Sequence, residues 1–358
     1  MTSIMNTVNR KHITFIVRGL HDMGGIERVT IVVASMLANV GYRVSILCLQ
    51  RGTPYFDIPE EIGLYNLNDV RGRSRSARLK AWMKEERPDL VVISGTNRPL
   101  FILRAIGDCP AIGWEHLNAT ISAHPLHNLY RKFYARRCMI VTLSNADKES
   151  WQKKFPSSDV HCIPNPVTLP KSTPSSLENK RILAVGRLAG QKGFDLLIKA
   201  WAKIEKLYPD WKLRIVGSGR WEKRLLQLIA QLGIEQRIEM LPATPEITKE
   251  YQDASIYALS SRYEGFGLVL VEAMQLGLPV VSFDCPHGPR EIVSHGETGL
   301  LVPNGDVDAF AEALSTIISN PTMREEMAKE ALVQVERFGN KVITTKWVHL
   351  IEQMTSKD

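Results

Sequence analysis

The chain has 358 residues, of which 44% are hydrophobic and 23% are charged. This length favours two domains, and this composition is typical of a globular protein and excludes a disordered, collagen-like or coiled-coil chain. The five cysteines form no CxxC pair, so the sequence indicates neither a disulfide framework nor a structural metal site. The polar stretch Met1–Arg10 does not resemble a secretory signal, and no apolar run reaches the ~18 residues of a membrane span, so we expect a cytoplasmic protein.

Short apolar runs alternate with helix-like runs along nearly the whole chain. Most runs are apolar throughout, as in strands buried on both faces, and the alternation predicts parallel sheets with helices on both faces. The predicted strands are His12–Val17, Val44–Leu49, Leu90–Ser94, Ala111–Trp114, Met139–Leu143, Ile182–Val185, Lys212–Val216, Ile238–Leu241, Ile256–Leu259, Pro279–Phe283 and Gly299–Val302. The predicted helices include Glu27–Val40, Phe194–Lys206, Arg220–Leu232, Leu268–Leu276 and a last, amphipathic helix near Lys341–Met354.

The series of strands and helices is interrupted once, between Ile163 and Asn179, by a stretch rich in proline and serine. Such a stretch is typical of a linker. We therefore predict two Rossmann-like α/β domains, 1–168 and 169–340, that face each other across a cleft. The C-terminal helix, 341–358, could belong to either domain. Ligands of open α/β sheets bind beyond the carboxyl ends of the strands, so two such faces would build one shared site.

The net charge of +7 is carried by the first half of the chain. Residues 1–168 contain 22 Lys and Arg against 14 Asp and Glu, whereas the remainder contains 23 against 24. Two clusters of cations occur, at Arg71–Lys80 and at Arg131–Arg137. Such a surface attracts an anionic partner, which could be lipid head groups, a phosphorylated acceptor or nucleic acid. A solvated loop and helix face explains the first cluster equally well.

Two glycine-containing loops carry candidate anion ligands. Gly24 and Gly25 precede the helix expected at Glu27, where glycine lets a ligand approach the backbone and the helix N–H groups attract an anion. An ordinary turn is the alternative reading of that loop. Arg187 and Lys192 follow a predicted strand and could converge on a diphosphate, because Arg offers a bidentate fork and Lys a point charge.

A third loop, Glu264–Leu268, precedes a helix whose first N–H groups offer an anion site. Glu264 comes before this helix, and Glu272 lies about one turn inside it. Carboxylates are poor partners for phosphate but good acceptors for sugar hydroxyls, so basic phosphate ligands beside carboxylates favour a nucleotide sugar. A solvated helix glutamate explains Glu272 less well, because its helix is otherwise apolar.

Together these motifs resemble the retaining GT-B glycosyltransferases of the family 4 type, over nearly the full chain. The resemblance is carried by Glu264 with Glu272, Arg187 with Lys192, the glycines at 24 and 25, and the runs Val216–Gly219 and Glu297–Pro303. The run 279–292 is similar to the subgroup that builds bacterial surface polysaccharides, such as amylovoran, O-antigen and capsule. The resemblance implies a GT-B fold and a retaining transferase that needs neither a metal nor a cofactor.

The resemblance also implies a role for each candidate residue. Arg187 and Lys192 would bind the donor diphosphate, Glu272 the ribose hydroxyls, and Glu264 the donor sugar near the reacting carbon. His116 matches the position of the family's active-site histidine, although a lone histidine after a strand is often only a hydrogen-bonded loop residue. The other implied donor contacts are the backbone at Phe266, Gly267 and Leu268, Gly24 and Gly25 from the other domain, Gly217 under the nucleotide, and Leu241 at the base.

The predicted function is therefore transfer of a hexose or N-acetylhexosamine in the synthesis of O-antigen, capsule or exopolysaccharide. The donor would be a UDP-sugar such as UDP-Gal, UDP-Glc or UDP-HexNAc. The acceptor would be a saccharide on polyprenyl diphosphate at the anionic inner membrane surface, where the protein would attach peripherally. A sugar-nucleotide epimerase that uses the same donor is the alternative.

Three other functions receive less support from the residues. Residue 222 is Glu where a dinucleotide fingerprint needs its third glycine, which disfavours a dehydrogenase. The cations of Arg71–Lys80 have no aromatic residues between them, so we expect no nucleic-acid partner. Asp306-Val-Asp308 has the form of a metal-binding motif, but its place before an apolar helix favours a helix N-cap instead.

Overall fold

The structure, a computed structural model, describes residues 11–95, 100–116 and 125–356, so the stretch Met1–Arg10 lies outside the described residues. The chain divides into two compact units. The first unit comprises Met1–Thr168 and Asn340–Asp358, and the second comprises Leu169–Gly339. Each unit is built on a parallel sheet, which confirms the predicted α/β class.

The first unit contains seven strands and six helices in its described part. The strands are β1 (His12–Val17), β2 (Arg43–Cys48), β3 (Ile62–Asn66), β4 (Leu90–Ser94), β5 (Ala111–Trp114), β6 (Met139–Thr142) and β7 (Val160–Cys162). The helices are α1 (Gly25–Asn39), α2 (Arg75–Glu86), α3 (Leu100–Ile106), α4 (Pro125–Arg137), α5 (Asn145–Lys154) and the last helix of the chain, α13 (Asn340–Thr355).

The second unit contains six strands and seven helices. The strands are β8 (Arg181–Val185), β9 (Lys212–Val216), β10 (Ile238–Leu241), β11 (Ile256–Leu259), β12 (Val280–Asp284) and β13 (Gly299–Pro303). The helices are α6 (Phe194–Ile204), α7 (Glu222–Leu232), α8 (Ile247–Gln252), α9 (Leu268–Gln275), α10 (Pro289–Ile292), α11 (Val307–Ser319) and α12 (Pro321–Gln334).

Both sheets have the doubly wound strand order. The order is β3-β2-β1-β4-β5-β6-β7 in the first sheet and β10-β9-β8-β11-β12-β13 in the second. The direction of winding therefore reverses between β1 and β4, and again between β8 and β11. At such a reversal the loops that leave the two carboxyl ends turn to opposite faces, and the crevice between them is the usual ligand site of this architecture.

The central strands are apolar because helices cover both of their faces. Every residue of β1, β4 and β5 is buried. On one face of the first sheet, Trp114 of β5 packs against Trp347 of α13, with ring centroids 5.1 Å apart. The other face buries Trp82 of α2 and Trp151 of α5. In the second unit, Phe283 of β12 packs edge to face on Phe310 of α11, with centroids 4.8 Å apart.

Every predicted strand is present to within one residue at each end, whereas two helices begin elsewhere than predicted. Helix α1 begins at Gly25 rather than Glu27, and α7 begins at Glu222 rather than Arg220. Residues 163–180 contain no helix or strand. The basic run at 71–80 is partly helical, because Ser74 caps α2 by accepting a hydrogen bond from the backbone N–H of Ala77.

Candidate active site

The candidate site of the second unit lies in two loops that leave the carboxyl ends of β8 and β11. These strands are the neighbours between which the winding of the second sheet reverses. The first loop, 186–193, carries Arg187 and Lys192, and the second, 260–267, carries Glu264. The fold therefore brings together residues that are about 70 positions apart in the chain.

The ion pair between Lys192 and Glu264 joins these loops. Lys192 Nζ lies 2.7 Å from Glu264 Oε1, and their side chains are only 18% and 7% exposed. The Ser261 hydroxyl donates a second hydrogen bond, of 2.5 Å, to the same carboxylate oxygen. The sequence predicted roles for Lys192 and Glu264 separately but not their pairing, and it did not single out Ser261.

Gly193 explains how the two loops approach so closely. Its backbone is left-handed, with φ of 61°, and a Cβ at this position would overlap the carbonyl oxygen of Ser260. The neighbouring Lys192 carbonyl accepts a hydrogen bond of 2.9 Å from the Ser260 hydroxyl. Glycine is required here by both backbone conformation and space.

Glu272 lies inside α9 and is buried, with 3% of its surface exposed. The hydroxyl of the fully buried Tyr251 donates a hydrogen bond of 2.9 Å to Glu272 Oε2. Tyr251 lies on α8, and no sequence pattern pointed to it. This hydrogen bond fixes one oxygen of the carboxylate that the sequence assigns to a ribose.

The start of α9 is formed as the sequence predicted. Gly267 is the N-cap residue, with a left-handed φ of 98°, and the helix begins at Leu268. Phe266 is buried, and its ring packs edge to face on Phe338 with centroids 5.8 Å apart. The first N–H groups of a helix have no intrahelical acceptor, so this end of α9 can bind an anion.

Three further predicted residues of the second unit are Arg187, Gly217 and Leu241. Arg187 is exposed and forms no ion pair with another described residue. The N–H of Gly217 donates a hydrogen bond of 2.9 Å to the carbonyl of Leu241. A Cβ on Gly217 would overlap the carbonyl oxygen of Gly186, so close packing of the loops after β8 and β9 already requires this glycine. The Leu241 carbonyl is thus engaged within the unit.

His116 of the first unit follows β5 and is buried. Its Nε2 lies 2.9 Å from the Ser94 hydroxyl at the end of β4, and Ser94 lies 3.1 Å from the Thr30 hydroxyl of α1. Burial lowers the pKa of His116 to about 3. The imidazole is therefore neutral near pH 7 and is a weak proton acceptor.

Gly24 and Gly25 lie at the start of α1, as the N-cap and the first residue of the helix. A Cβ on Gly24 would overlap the carboxylate of Glu27, which lies in the first turn. That carboxylate is the far end of a flexible side chain and can move away, so the contact does not by itself require glycine at position 24. The sequence prediction of a ligand there stays a prediction.

Glu115 is a titratable group that the sequence did not single out. Burial raises its pKa to about 7, although the positive charge of Arg131 acts in the opposite direction. Arg131 Nη2 of α4 lies 3.8 Å from Glu115 Oε2. Glu115, immediately before His116 in the chain, is thus protonated more readily than an exposed glutamate.

Asp306 is a helix cap, as its position in the sequence predicted. Its Oδ1 accepts hydrogen bonds of 3.1 and 3.0 Å from the backbone N–H groups of Asp308 and Ala309. Asp308 pairs with Lys203 at 2.7 Å. The part of the chain that the structure describes contains no group of three or more His, Cys, Asp or Glu residues arranged to hold a metal ion.

Comparison with known proteins agrees with this fold. Residues 23–170 match the family described as Glycosyltransferase Family 4, and residues 168–333 match Glycosyl transferases group 1. An uncharacterized glycosyltransferase of Haemophilus influenzae is 36% identical, over 94% of this chain and 99% of its own length. The amylovoran biosynthesis glycosyltransferase AmsD of Erwinia amylovora is 27% identical, over 93% of this chain and 97% of its own.

A solved structure shows the same architecture. The crystal structure of a mutant of S. aureus TarM, in complex with fondaparinux, α-GlcNAc-glycerol and UDP, matches with a TM-score of 0.84 at 15% identity. The match covers 95% of this chain and 99% of that one. The two parallel-sheet units are thus those of the GT-B class. The chain belongs to the glycosyltransferases, within the group 1 and family 4 type.

In the range that the structure covers, no helix combines the length and the apolar character needed to cross a bilayer.

Proposed function

We propose that this glycosyltransferase moves a sugar from a UDP-sugar to a hydroxyl of a saccharide, with retention of the anomeric configuration. The observation that carries the proposal is the partly buried contact between Lys192 and Glu264 at the winding reversal of the second sheet. The contact puts a cation and a carboxylate side by side just before the N-terminus of α9. A cation and a helix N-terminus suit a diphosphate, and a carboxylate suits sugar hydroxyls.

The leaving diphosphate gains negative charge as its bond to the sugar weakens. Lys192, the exposed Arg187 and the first N–H groups of α9 would stabilise that charge electrostatically. We propose that these groups act without a metal ion. Activity that survives EDTA supports this part of the proposal, and its loss in EDTA would contradict it.

The two glutamates would recognise the sugars at either end of the diphosphate. Glu264 would accept hydrogen bonds from donor-sugar hydroxyls and stabilise positive charge on the ring. Glu272 would accept them from the ribose, with its carboxylate oriented by the Tyr251 hydroxyl 2.9 Å away. A carboxylate oriented in advance loses less entropy when the ligand binds.

The anomeric configuration would be retained by front-face return, in which the acceptor attacks from the side that the leaving group departs from. The acceptor oxygen would attack the anomeric carbon from the side of the leaving group, as the bond from that carbon to the phosphate oxygen breaks. The acceptor proton would pass to the departing phosphate oxygen. His116 would position the sugar rather than take this proton, because burial lowers its pKa to about 3.

The comparisons support a UDP-sugar donor and a role in surface polysaccharide synthesis. The matched TarM structure contains UDP together with α-GlcNAc-glycerol, and AmsD is a transferase of amylovoran biosynthesis. We therefore propose a hexosyl or N-acetylhexosaminyl donor. The positive charge of the first half of the chain supports the further proposal of a saccharide acceptor linked to polyprenyl diphosphate.

The test is a turnover assay with UDP-Glc, UDP-Gal and UDP-GlcNAc, with and without an extract of polyprenyl-diphosphate-linked saccharides. We expect UDP release that depends on the acceptor, and NMR of the product should show the anomeric configuration of the donor. An epimerase would instead alter the donor sugar when no acceptor is present. Inversion, or a preference for another nucleotide, would contradict the proposal.

A basic groove of the first unit supports peripheral contact with anionic lipid. The groove, of about 640 Å³, lies between the C-terminal ends of α4 and α5 and is lined by Lys132, Ala135, Arg136, Lys154, Phe155, Pro156 and Ser157. Cations beside exposed apolar groups suit a lipid surface. Flotation with phosphatidylglycerol vesicles should therefore weaken when Lys132 and Arg136 are changed to Glu. The same two changes at Lys206 and Lys223, exposed cations of the second unit, are the control, because both variants have the same net charge.

A further inference from the structure

We propose that Asp195 and Arg262 form a clamp that holds the two donor-site loops of the second unit in register. The clamp would present Lys192 and Glu264 to the donor in a single geometry. This inference rests on the proposed function. It adds to that function two positioning residues that need not touch the donor.

The two side chains form a bidentate ion pair. Arg262 Nη1 donates to Asp195 Oδ1 at 2.9 Å, and Arg262 Nη2 donates to Asp195 Oδ2 at 2.8 Å. The side chains are 37% and 13% exposed, respectively. Burial by itself raises the pKa of Asp195, but the hydrogen bonds and the charge of Arg262 outweigh it and hold the pKa below its usual value. The pair is therefore fully charged at neutral pH.

The clamp is joined to both loops. Arg262 Nη1 also donates a hydrogen bond of 2.7 Å to the carbonyl of Gly190, which lies two residues before Lys192. The backbone N–H of Arg262 donates one of 2.8 Å to the carbonyl of Gln191. Gln191 in turn donates from its side chain to the carbonyl of Tyr263, the residue before Glu264, at 3.1 Å.

Replacing Asp195 distinguishes the clamp from a simple effect of charge, because the two predict opposite changes in the affinity for UDP. It lies in the first turn of α6, three residues after Lys192, so its negative charge opposes binding of a diphosphate nearby. If charge alone mattered, Asp195→Asn would tighten UDP binding. The clamp predicts the reverse, because loosening the loops displaces Lys192 and Glu264 from the donor. Displacements of about 1 Å in an active site can cost on the order of 100-fold in rate.

The experiment compares Asp195→Asn and Arg262→Lys with a matched control. Arg262→Lys keeps the charge but removes the planar fork that pairs with the carboxylate. Glu205→Gln is the control. This change neutralises another buried carboxylate, which lies just beyond the opposite end of α6. The Glu205 carboxylate pairs with Arg237 at 3.2 Å. That site lies about 15 Å along the helix axis from Asp195.

We expect both clamp variants to lose about 10- to 100-fold in kcat/KM for the UDP-sugar, with a higher KM and weaker UDP binding by calorimetry. Glu205→Gln should match their loss of thermal stability but keep its turnover and UDP affinity. Tighter UDP binding in Asp195→Asn, or full activity in Arg262→Lys, would overturn the clamp alone. A wild-type protein that neither binds UDP nor consumes any UDP-sugar would overturn the proposed function and the clamp with it.

Discussion

Replacing Lys192 by alanine separates two roles of this residue, in stability and in turnover. The variant leaves the Glu264 carboxylate buried with the Ser261 hydroxyl but without its cation. Breaking a buried ion pair costs about 3–5 kcal/mol, and a hydrogen bond to a charged group is worth about 1.5–3 kcal/mol. Lys192 keeps 18% of its surface exposed and Ser261 remains, so we expect a loss of about 2–3 kcal/mol in the free energy of unfolding.

The effect on turnover has a different origin. Lys192 would stabilise charge on the leaving diphosphate, and removing one such group from an active site costs about 100- to 1000-fold in kcat. A double variant, Lys192→Ala with Glu264→Gln, distinguishes the two effects. It leaves neither charge of this ion pair, so stability should recover, whereas turnover should stay low because both the cation and the carboxylate that would contact the donor sugar are missing.

The assay pairs denaturant unfolding with UDP release from the UDP-sugar, for the two single variants and the double variant. Recovery of stability without recovery of turnover is the expected result. Recovery of turnover in the double variant would refute the reasoning, because it would mean that Lys192 serves only to neutralise Glu264.

Three further predictions concern other residues of the two units. Glu272→Ala should weaken UDP binding by about 10- to 100-fold in calorimetry, because the ribose loses a charged acceptor; Tyr251→Phe should weaken it less, because the carboxylate stays. The unfolded chain protonates His116 near pH 6.5, whereas the folded protein protonates it only near pH 3. His116 therefore favours folding above pH 6.5. As the pH drops below that value, its contribution to the free energy of unfolding falls by up to about 1.4 kcal/mol per pH unit, because the unfolded state binds more protons. Chemical unfolding at several pH values should therefore show a shallower acid slope for His116→Gln. Gly193→Ala should lower thermal stability and UDP affinity more than Gly233→Ala, because both positions are left-handed but only Gly193 also lacks room for a Cβ.

The sequence was sufficient to predict the α/β class and the strands at the centre of each sheet. Strands such as β4 and β11 are buried at every position, and that burial produces the continuous apolar runs by which they were found. The missed strands are β3 and β7. β3 lies at an edge and has only one buried residue in five, and β7 has three residues in all, so neither produces such a run.

The candidate site was predictable residue by residue but not as a set of contacts. Lys192 and Glu264 each occur in a loop of recognisable type, and the strand order then brings those loops together. The pairing of Asp195 with Arg262 and of Tyr251 with Glu272 depends on three-dimensional packing between distant parts of the chain. No local pattern marks either pair. Glu115 shows the same limit, because its raised pKa results from burial in the folded unit and not from its neighbours in sequence.

The most direct test of the central claim is a crystal structure of the protein grown with UDP. We predict that a diphosphate oxygen lies within about 3.2 Å of Lys192 Nζ, beside the first N–H groups of α9, and that the ribose hydroxyls donate to Glu272. UDP bound with its diphosphate away from Lys192 and its ribose away from Glu272 would contradict the account.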